Sequence, residues 1–224
     1  MSGEEVELRP PLILLGAGGH AKVLLSLIRA CGFEVLGVCD PELARRGVIE
    51  WRGIKVLGSD EAVFAMDPLS VGLVNGIGQL VRSAGRRSVF DAFAARGFEF
   101  PALVHPAAWV DESVSLRPGV QVMAGAIIQA DVVIGENSII NTRASVDHDC
   151  QLGCDVHVAP GATLCGGVFL ADRVFVASGA TVIQGLSIGE GAVVGAGVAV
   201  VRDLAAHQTL LGPAARSKIA GQDH

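Results

Sequence analysis

The sequence predicts two domains of different class, an α/β N-terminal domain of the Rossmann kind and an all-β C-terminal domain wound as a parallel β-helix. Three observations predict it: a glycine-rich turn directly after an apolar strand, a strand and helix alternation that stops near residue 103, and a hydrophobic period of six that starts there. Hydrophobic residues make up 50% of the 224, enough for a substantial core in each part.

The run Leu12-Ile13-Leu14-Leu15 reads as a strand that ends in the turn Gly16-Ala17-Gly18-Gly19. From Ala21 to about Cys31, the residues Val23, Leu24, Leu27 and Ile28 fall at helical spacing, and Gly32 stands where a helix stops. A second strand, Glu34 to Cys39, ends at Asp40-Pro41. A third, Val71 to Asn75, ends at Gly76-Ile77-Gly78. Arg86 to Arg96 reads as a helix, and Phe100 to Val104 leads into the second half. Together these make a small βαβ-type parallel sheet over residues 1–103.

Residues 104–224 have no helical period. Stepping by six from Val104 gives Val110, Leu116, Val122, Ile128, Ile134, Ile140, Val146, Leu152, Val158 and so on without a break to Val200. Four residues after each aliphatic the side chain is again small or apolar, as at Ala126, Val132, Ala144 and Cys150, with Leu186 the one bulky case. Such a period fits a triangular prism in which each hexapeptide forms one short face. It implies about 18 residues per coil and roughly five coils. Gly135, Asn141, Gly153, Gly189 and Gly195 are expected at the corners, where positive φ is useful. An antiparallel sandwich, the alternative, calls for period-two alternation and longer strands.

Composition narrows the function. A net charge of -6, 4% aromatics and no Tyr leave neither a basic footprint nor a base-stacking platform, so nucleic acid is not an expected partner. The acidic start, with Glu4, Glu5 and Glu7, has no hydrophobic signal region after it, and no long apolar span follows. A cytoplasmic protein is expected, with its five cysteines reduced rather than paired.

Two motifs then carry a resemblance. The turn Gly16-Ala17-Gly18-Gly19-His20 opens a short Rossmann-like domain, and the β-helix carries Ile140-Asn141-Thr142-Arg143-Ala144-Ser145-Val146-Asp147-His148-Asp149. Over nearly its whole length the chain resembles the hexapeptide-repeat acyltransferases, and among them the bacterial nucleotide-sugar N-acetyltransferases related to sialic acid O-acetyltransferases. The resemblance implies a left-handed β-helix, an exception to right-handed crossovers. It also implies a homotrimer that binds acetyl-CoA between adjacent β-helices and the sugar nucleotide on the N-terminal domain.

Acetyl transfer from a thioester needs a base for the acceptor's proton and a donor for the developing oxyanion. His148 is the candidate base, because an imidazole accepts a proton near neutral pH. Asp147 and Asp149 can each orient its ring, and the resemblance points to Asp149. The resemblance further implies that His157, Asn141, Gly166 and Ala196 lie along the acetyl-CoA site, with the Gly166 backbone N–H near the acetyl carbonyl. His148, Cys150, Cys154 and His157 also suggest zinc, and a carbonic anhydrase of the γ class would place three histidines on such a β-helix. Against a metal, Cys150 falls on an inward position of the repeat.

In the N-terminal domain Gly16, Gly18 and Ala21, with Asp40 closing the second strand, approach a dinucleotide fingerprint. The sheet is too small for a dinucleotide, so a sugar nucleotide fits better, its phosphates at the glycine turn. Gly16, Gly18, Gly19, His20, Asp40, Gly76, Ile77 and Gly78 are the expected contacts: His20 for pyrophosphate or sugar, Asp40 for base or ribose, and the Gly76 segment for close approach of the ligand. Asn75-Gly76-Ile77-Gly78-Gln79 lacks the polar or acidic residue that usually follows Ile-Gly in the family, and Gly212-Pro213-Ala214-Ala215-Arg216 departs from the family's coenzyme A tail. The expected activity is acetylation of a UDP- or GDP-linked 4-amino-4-deoxy sugar, with no metal. The alternatives are O-acetylation of a sialic-acid-like sugar and a sugar-nucleotide-binding scaffold without catalysis.

Overall fold

The computed structural model describes residues 10–79, 81 and 83–213. Its N-terminal part runs β1 (Leu12–Leu15), α1 (Gly19–Ala30), β2 (Val35–Cys39), α2 (Pro41–Arg45), β3 (Glu50–Trp51), β4 (Ile54–Gly58), α3 (Asp60–Phe64), β5 (Gly72–Asn75) and α4 (Gly85–Ala94). The sheet order is β3-β4-β2-β1-β5, parallel except for the β3–β4 hairpin. That hairpin goes beyond the sequence expectation. Its strands are too short for a periodic signal, and Arg52 (φ 51°) rather than Gly or Asn takes the first left-handed position of its turn, before Gly53 (φ 78°).

β1 is buried at all four residues, as a central parallel strand should be. Helix α1 packs Ala21, Leu24, Leu25, Leu27 and Ile28 inward and stops at Gly32 (φ 74°), where Phe33 N–H bonds back to Ile28 O. Val23 departs from the expected apolar stripe: it is 48% exposed and points away from the sheet.

From Leu103 onward the chain forms two-residue strands on three faces. A seven-stranded face runs from Leu103–Val104 to Thr209–Leu210, a six-stranded face from Trp109–Val110 to Ala199–Val200, and a five-stranded face from Ser115–Leu116 to Ser187–Ile188. All pairs are parallel and most are offset by one 18-residue turn, as in Ile128↔Val146 and Ile134↔Leu152. This is the left-handed parallel β-helix of the resemblance. Its faces carry five, six and seven strands, in line with the roughly five coils expected, and Thr209–Leu210 adds the seventh strand past the last strict hexapeptide.

The second residue of each strand points to the axis and is almost always fully buried, and the small residue four places on joins it. Each such aliphatic contributes about 1.5–3 kcal/mol of burial, so the period itself drives the winding. One expectation about the corners is corrected. Positive φ occurs two residues later than anticipated, at Asp131, Asn137, Arg143, Asp149, Asp155 and their glycine equivalents, not at Gly135, Asn141, Gly153, Gly189 or Gly195. Gly135 and Gly153 are needed for stacking instead: a Cβ at Gly135 would lie 2.4 Å from the Gly153 carbonyl carbon in the next coil.

The N-terminal domain sits on the seven-stranded face. Leu103, Met123 and Ile139 of that face share one core with Leu12, Leu14, Leu24 and Ile28. This contact brings the ends of β1 and β5 over the β-helix.

Candidate active site

The loops that follow β1 and β5 diverge from the point where the sheet order reverses, the usual place for a ligand on an open α/β sheet. There they form one cavity lined by Gly16, Gly18, Gly19, His20, Asp40, Gly76, Ile77 and Gly78, with Val23 and Gln79. His157 of the β-helix completes the wall. Gly18 and Gly19 have open space where a side chain would stand. The first turn of α1 carries no acidic residue and no side-chain cap, so its N–H groups and positive dipole end are open to an anionic group.

Two of these residues also have a structural part to play. Asp40 takes Ala17 N–H on Oδ2 (2.8 Å) and caps α2 through Leu43 N–H on Oδ1 (2.9 Å), so its carboxylate already braces the glycine turn. At Gly76 a Cβ would lie 2.5 Å from Leu15 O and 3.1 Å from Ala21 Cβ. Its missing side chain therefore serves the packing of the two loops as well as lining the cavity.

His20 and His157 are neutral imidazoles whose tautomers follow from their partners. Gln121 donates Nε2–H to Asn75 O (3.0 Å), which leaves its Oε1 to accept from His20 Nε2–H (2.8 Å). Asn141 Oδ1 accepts from Thr142 N–H (2.8 Å), so its Nδ2 donates to His157 Nε2 (3.1 Å), and the His157 proton sits on Nδ1. That Nδ1 is buried. The His157 ring packs edge-on against Phe175 at 5.0 Å. Burial, then the cationic Arg86, lowers His20 to about 4; burial, then His20 and Arg86, lowers His157 to about 4.

His148 occupies another part of the molecule, the edge between the six-stranded and five-stranded faces. Its Nδ1 bonds Asp149 Oδ2 at 2.7 Å, and its backbone N–H bonds Asp147 Oδ1 at 2.8 Å, so the two carboxylates left open by the sequence do different work. Asp149 raises the imidazole above its ordinary pKa by that hydrogen bond, with Asp147 adding a charge effect. The ring side chain is 61% exposed. Gly166, one coil on, forms its floor: a Cβ there would lie 2.6 Å from His148 Cε1.

Within one chain, then, the structure groups His148, Asp149 and Gly166 on one edge. It places Asn141 on the edge between the seven-stranded and six-stranded faces, with exposed Ala196 three coils farther along that edge. His157 belongs with the glycine loops rather than with His148. The alternative zinc set is not assembled around Cys150, which is fully buried with its thiol donating to Cys165 O (3.2 Å). No group of three or more metal-ligating side chains occurs among the described residues, nor any helix long and apolar enough to cross a membrane. Residues 214–216 of the anticipated coenzyme A tail lie outside the described residues.

Sequence reading missed the polar network behind the cavity. Arg86, 1% exposed, reaches Asn75, Ile77 and Asn137, and Asn137 Nδ2 donates to Asp155 Oδ1 at 2.6 Å. A polar Gln121 on the outward stripe was the available signal, because its neighbours there, Leu103 and Ile139, are apolar under the N-terminal domain.

Residues 11–93 match the PglD N-terminal domain family. No curated protein matches the chain in sequence. Among solved structures, a histidine-to-alanine variant of GDP-perosamine N-acetyltransferase from Caulobacter crescentus, in complex with CoA and GDP-perosamine, is 39% identical over 90% of this chain and 93% of its own, with a TM-score of 0.83. The acetyltransferase domain of PglB from Neisseria gonorrhoeae, in complex with acetyl coenzyme A, is 33% identical over 90% of this chain and 96% of its own, with a TM-score of 0.82. WeeI from Acinetobacter baumannii shares the fold at 23% identity and a TM-score of 0.79. With identities of 39% and 33% along nine-tenths of the chain, and with the glycine-turn domain and β-helix in the same order, the protein belongs to the hexapeptide-repeat nucleotide-sugar N-acetyltransferases.

Proposed function

We propose that the protein transfers an acetyl group from acetyl-CoA to the amine of a UDP- or GDP-linked 4-amino-4-deoxy sugar, with His148 as the base. The observation that carries this reading is the His148–Asp149 pair: an open imidazole, held at Nδ1 by a carboxylate and supported by Gly166. In this arrangement Nδ1–H donates to Asp149, and Nε2 carries the free lone pair. The amine nitrogen bonds to the thioester carbonyl carbon as its proton passes to His148 Nε2. The C–S bond then breaks, and the proton goes from Nε2 to the departing sulfur. Asp149 steadies the imidazolium in between, and the Gly166 N–H holds the carbonyl oxygen.

The nucleotide end fits the cavity of Gly16, Gly18, Gly19, His20 and Gly78, where the bare helix N-terminus meets phosphate. Since this cavity and His148 lie on different parts of one chain, a complete site needs His148 from a neighbouring copy. The two faces beside His148 support such contacts, with outward Trp109 and Ile127 on one and Val133 and Phe169 on the other, all more than a third exposed. The resemblance makes that assembly a homotrimer, with acetyl-CoA in the groove between β-helices alongside Asn141, His157 and Ala196. A cytoplasmic reaction fits the use of acetyl-CoA.

The test measures thiol release from acetyl-CoA with a panel of UDP- and GDP-amino sugars and their hydroxyl counterparts, alongside sedimentation equilibrium. Turnover with amines by a trimeric enzyme is expected. Turnover with hydroxyl acceptors alone would assign O-acetylation, and binding without turnover would assign a scaffold.

A further inference from the structure

Arg86 begins the first turn of α4, yet its side chain is fully buried. Nη1 donates to Asn75 O (2.9 Å) and Ile77 O (2.7 Å), and Nε donates to Asn137 O (3.1 Å) in the β-helix. No carboxylate forms an ion pair with it among the described residues; Asp155 acts from beyond Asn137 and pairs with Arg87 at 3.3 Å. Burying a cation without a direct counter-ion is costly, and burial draws this guanidinium down to about 9. A neutral apolar residue would spare that cost if the position only filled space.

What the guanidinium holds is the cavity wall. Asn75 and Ile77 flank Gly76 in the loop after β5, and the same loop is held by four further hydrogen bonds. Asn75 Nδ2 donates to Arg86 O (2.8 Å) and Asn137 Oδ1 (3.2 Å), Asn75 Oδ1 accepts from Ile77 N–H (3.2 Å), and Gln121 Nε2 donates to Asn75 O (3.0 Å). Gly76 is pressed against Leu15 O. The loop is thus fastened from behind to α4 and to the β-helix, while Gly76, Ile77 and Gly78 present their other side to the cavity shared with His157.

We propose that Arg86 is a positioning residue of the sugar-nucleotide site: by bridging Asn75 and Ile77 to Asn137, it sets the loop at the spacing from the glycine turn and His157 that the ligand needs. The inference deepens the function proposed above and rests on it. Planarity and several donors are the property used, because a single ammonium cannot reach three carbonyls on two elements.

Arg86→Lys in the full chain tests this through two readouts. By hydrogen–deuterium exchange, amides of residues 72–79 should exchange about 10-fold faster or more, while β-helix strands such as Thr163–Leu164 keep wild-type rates. In kinetics, KM for the sugar nucleotide should rise about 10-fold, with KM for acetyl-CoA within about twofold of wild type. A lower melting temperature with unchanged loop exchange and an unchanged ratio of the two KM values would make Arg86 merely structural and overturn the inference. Arg86→Gln, which removes the buried charge and its desolvation cost, answers the same question if the Lys variant does not fold. If the wild type acetylates no sugar nucleotide, the proposed function falls on its own, and unchanged loop exchange in the variant still overturns the hold of Arg86 on the loop.

Discussion

His148 lies on an open edge of the β-helix with a carboxylate on its ring, whereas His20 and His157 are enclosed between the domains with amides and a guanidinium for company. The same side chain is driven in opposite directions by these surroundings. Asp149 favours the protonated form of His148, while burial and Arg86 keep the other two neutral. A base that must pick up a proton and release it within one turnover belongs in the first setting. Fixed donors and acceptors, with tautomers locked by Gln121 and Asn141, belong in the second.

Removing the imidazole at His148 is the harshest way to break this contrast. His148→Asn should lower kcat by about 10²-fold or more while sugar-nucleotide and acetyl-CoA affinities, read by calorimetry, stay near wild type. Near-native turnover would transfer the role of base elsewhere. Gly166→Ala comes next. Its methyl group would occupy space within 2.6 Å of the ring, so the imidazole must swing off Asp149, and kcat should fall about 10-fold with little change in melting temperature.

Asp149→Asn sharpens the comparison through pH. Because Asp149 raises the His148 pKa, losing its charge lowers that pKa. A general base acts in its deprotonated form, so the acid limb of the kcat/KM profile should move to lower pH as the plateau drops. A limb that stays in place while the rate falls would mean that His148 is not the group titrating.

The β-helix was legible in the sequence almost residue by residue, since each coil repeats one local rule: aliphatic inward, small residue inward, tight corner. Val122, Ile140, Val158 and Val176 stack because the period is 18 divided by three, and no distant information is needed. The glycine turn and the His148 motif were legible for a similar reason, being contiguous. What sequence could not supply was the junction. Arg86, Asn137 and Gln121 are separated by up to 51 residues and acquire meaning only when the N-terminal domain settles on the seven-stranded face. His157 was placed with acetyl-CoA by resemblance, and only the packing of that face sets it beside Gly78 and His20 in one wall. The corner positions slipped by two residues because the left-handed sites are filled by Asp, Asn and Arg as well as Gly, which blurs the compositional mark.

The neutral pair also leaves a signature in stability. In the unfolded chain each histidine titrates near 6.5, and in the folded chain near 4, so between those values the unfolded state binds more protons. Stability is therefore complete above about pH 6.5 and is lost as pH falls toward 4, on the order of 1 kcal/mol per pH unit for each histidine. His20→Gln retains a donor for Gln121 but cannot charge, and should remove about half of the histidine contribution to that slope. Melting temperatures of the two proteins from pH 7 to pH 4 should converge toward the acid end if the variant is slightly weaker at neutral pH. Parallel curves would mean that His20 is already solvated in the folded protein, and the enclosed setting drawn for it against His148 would be wrong.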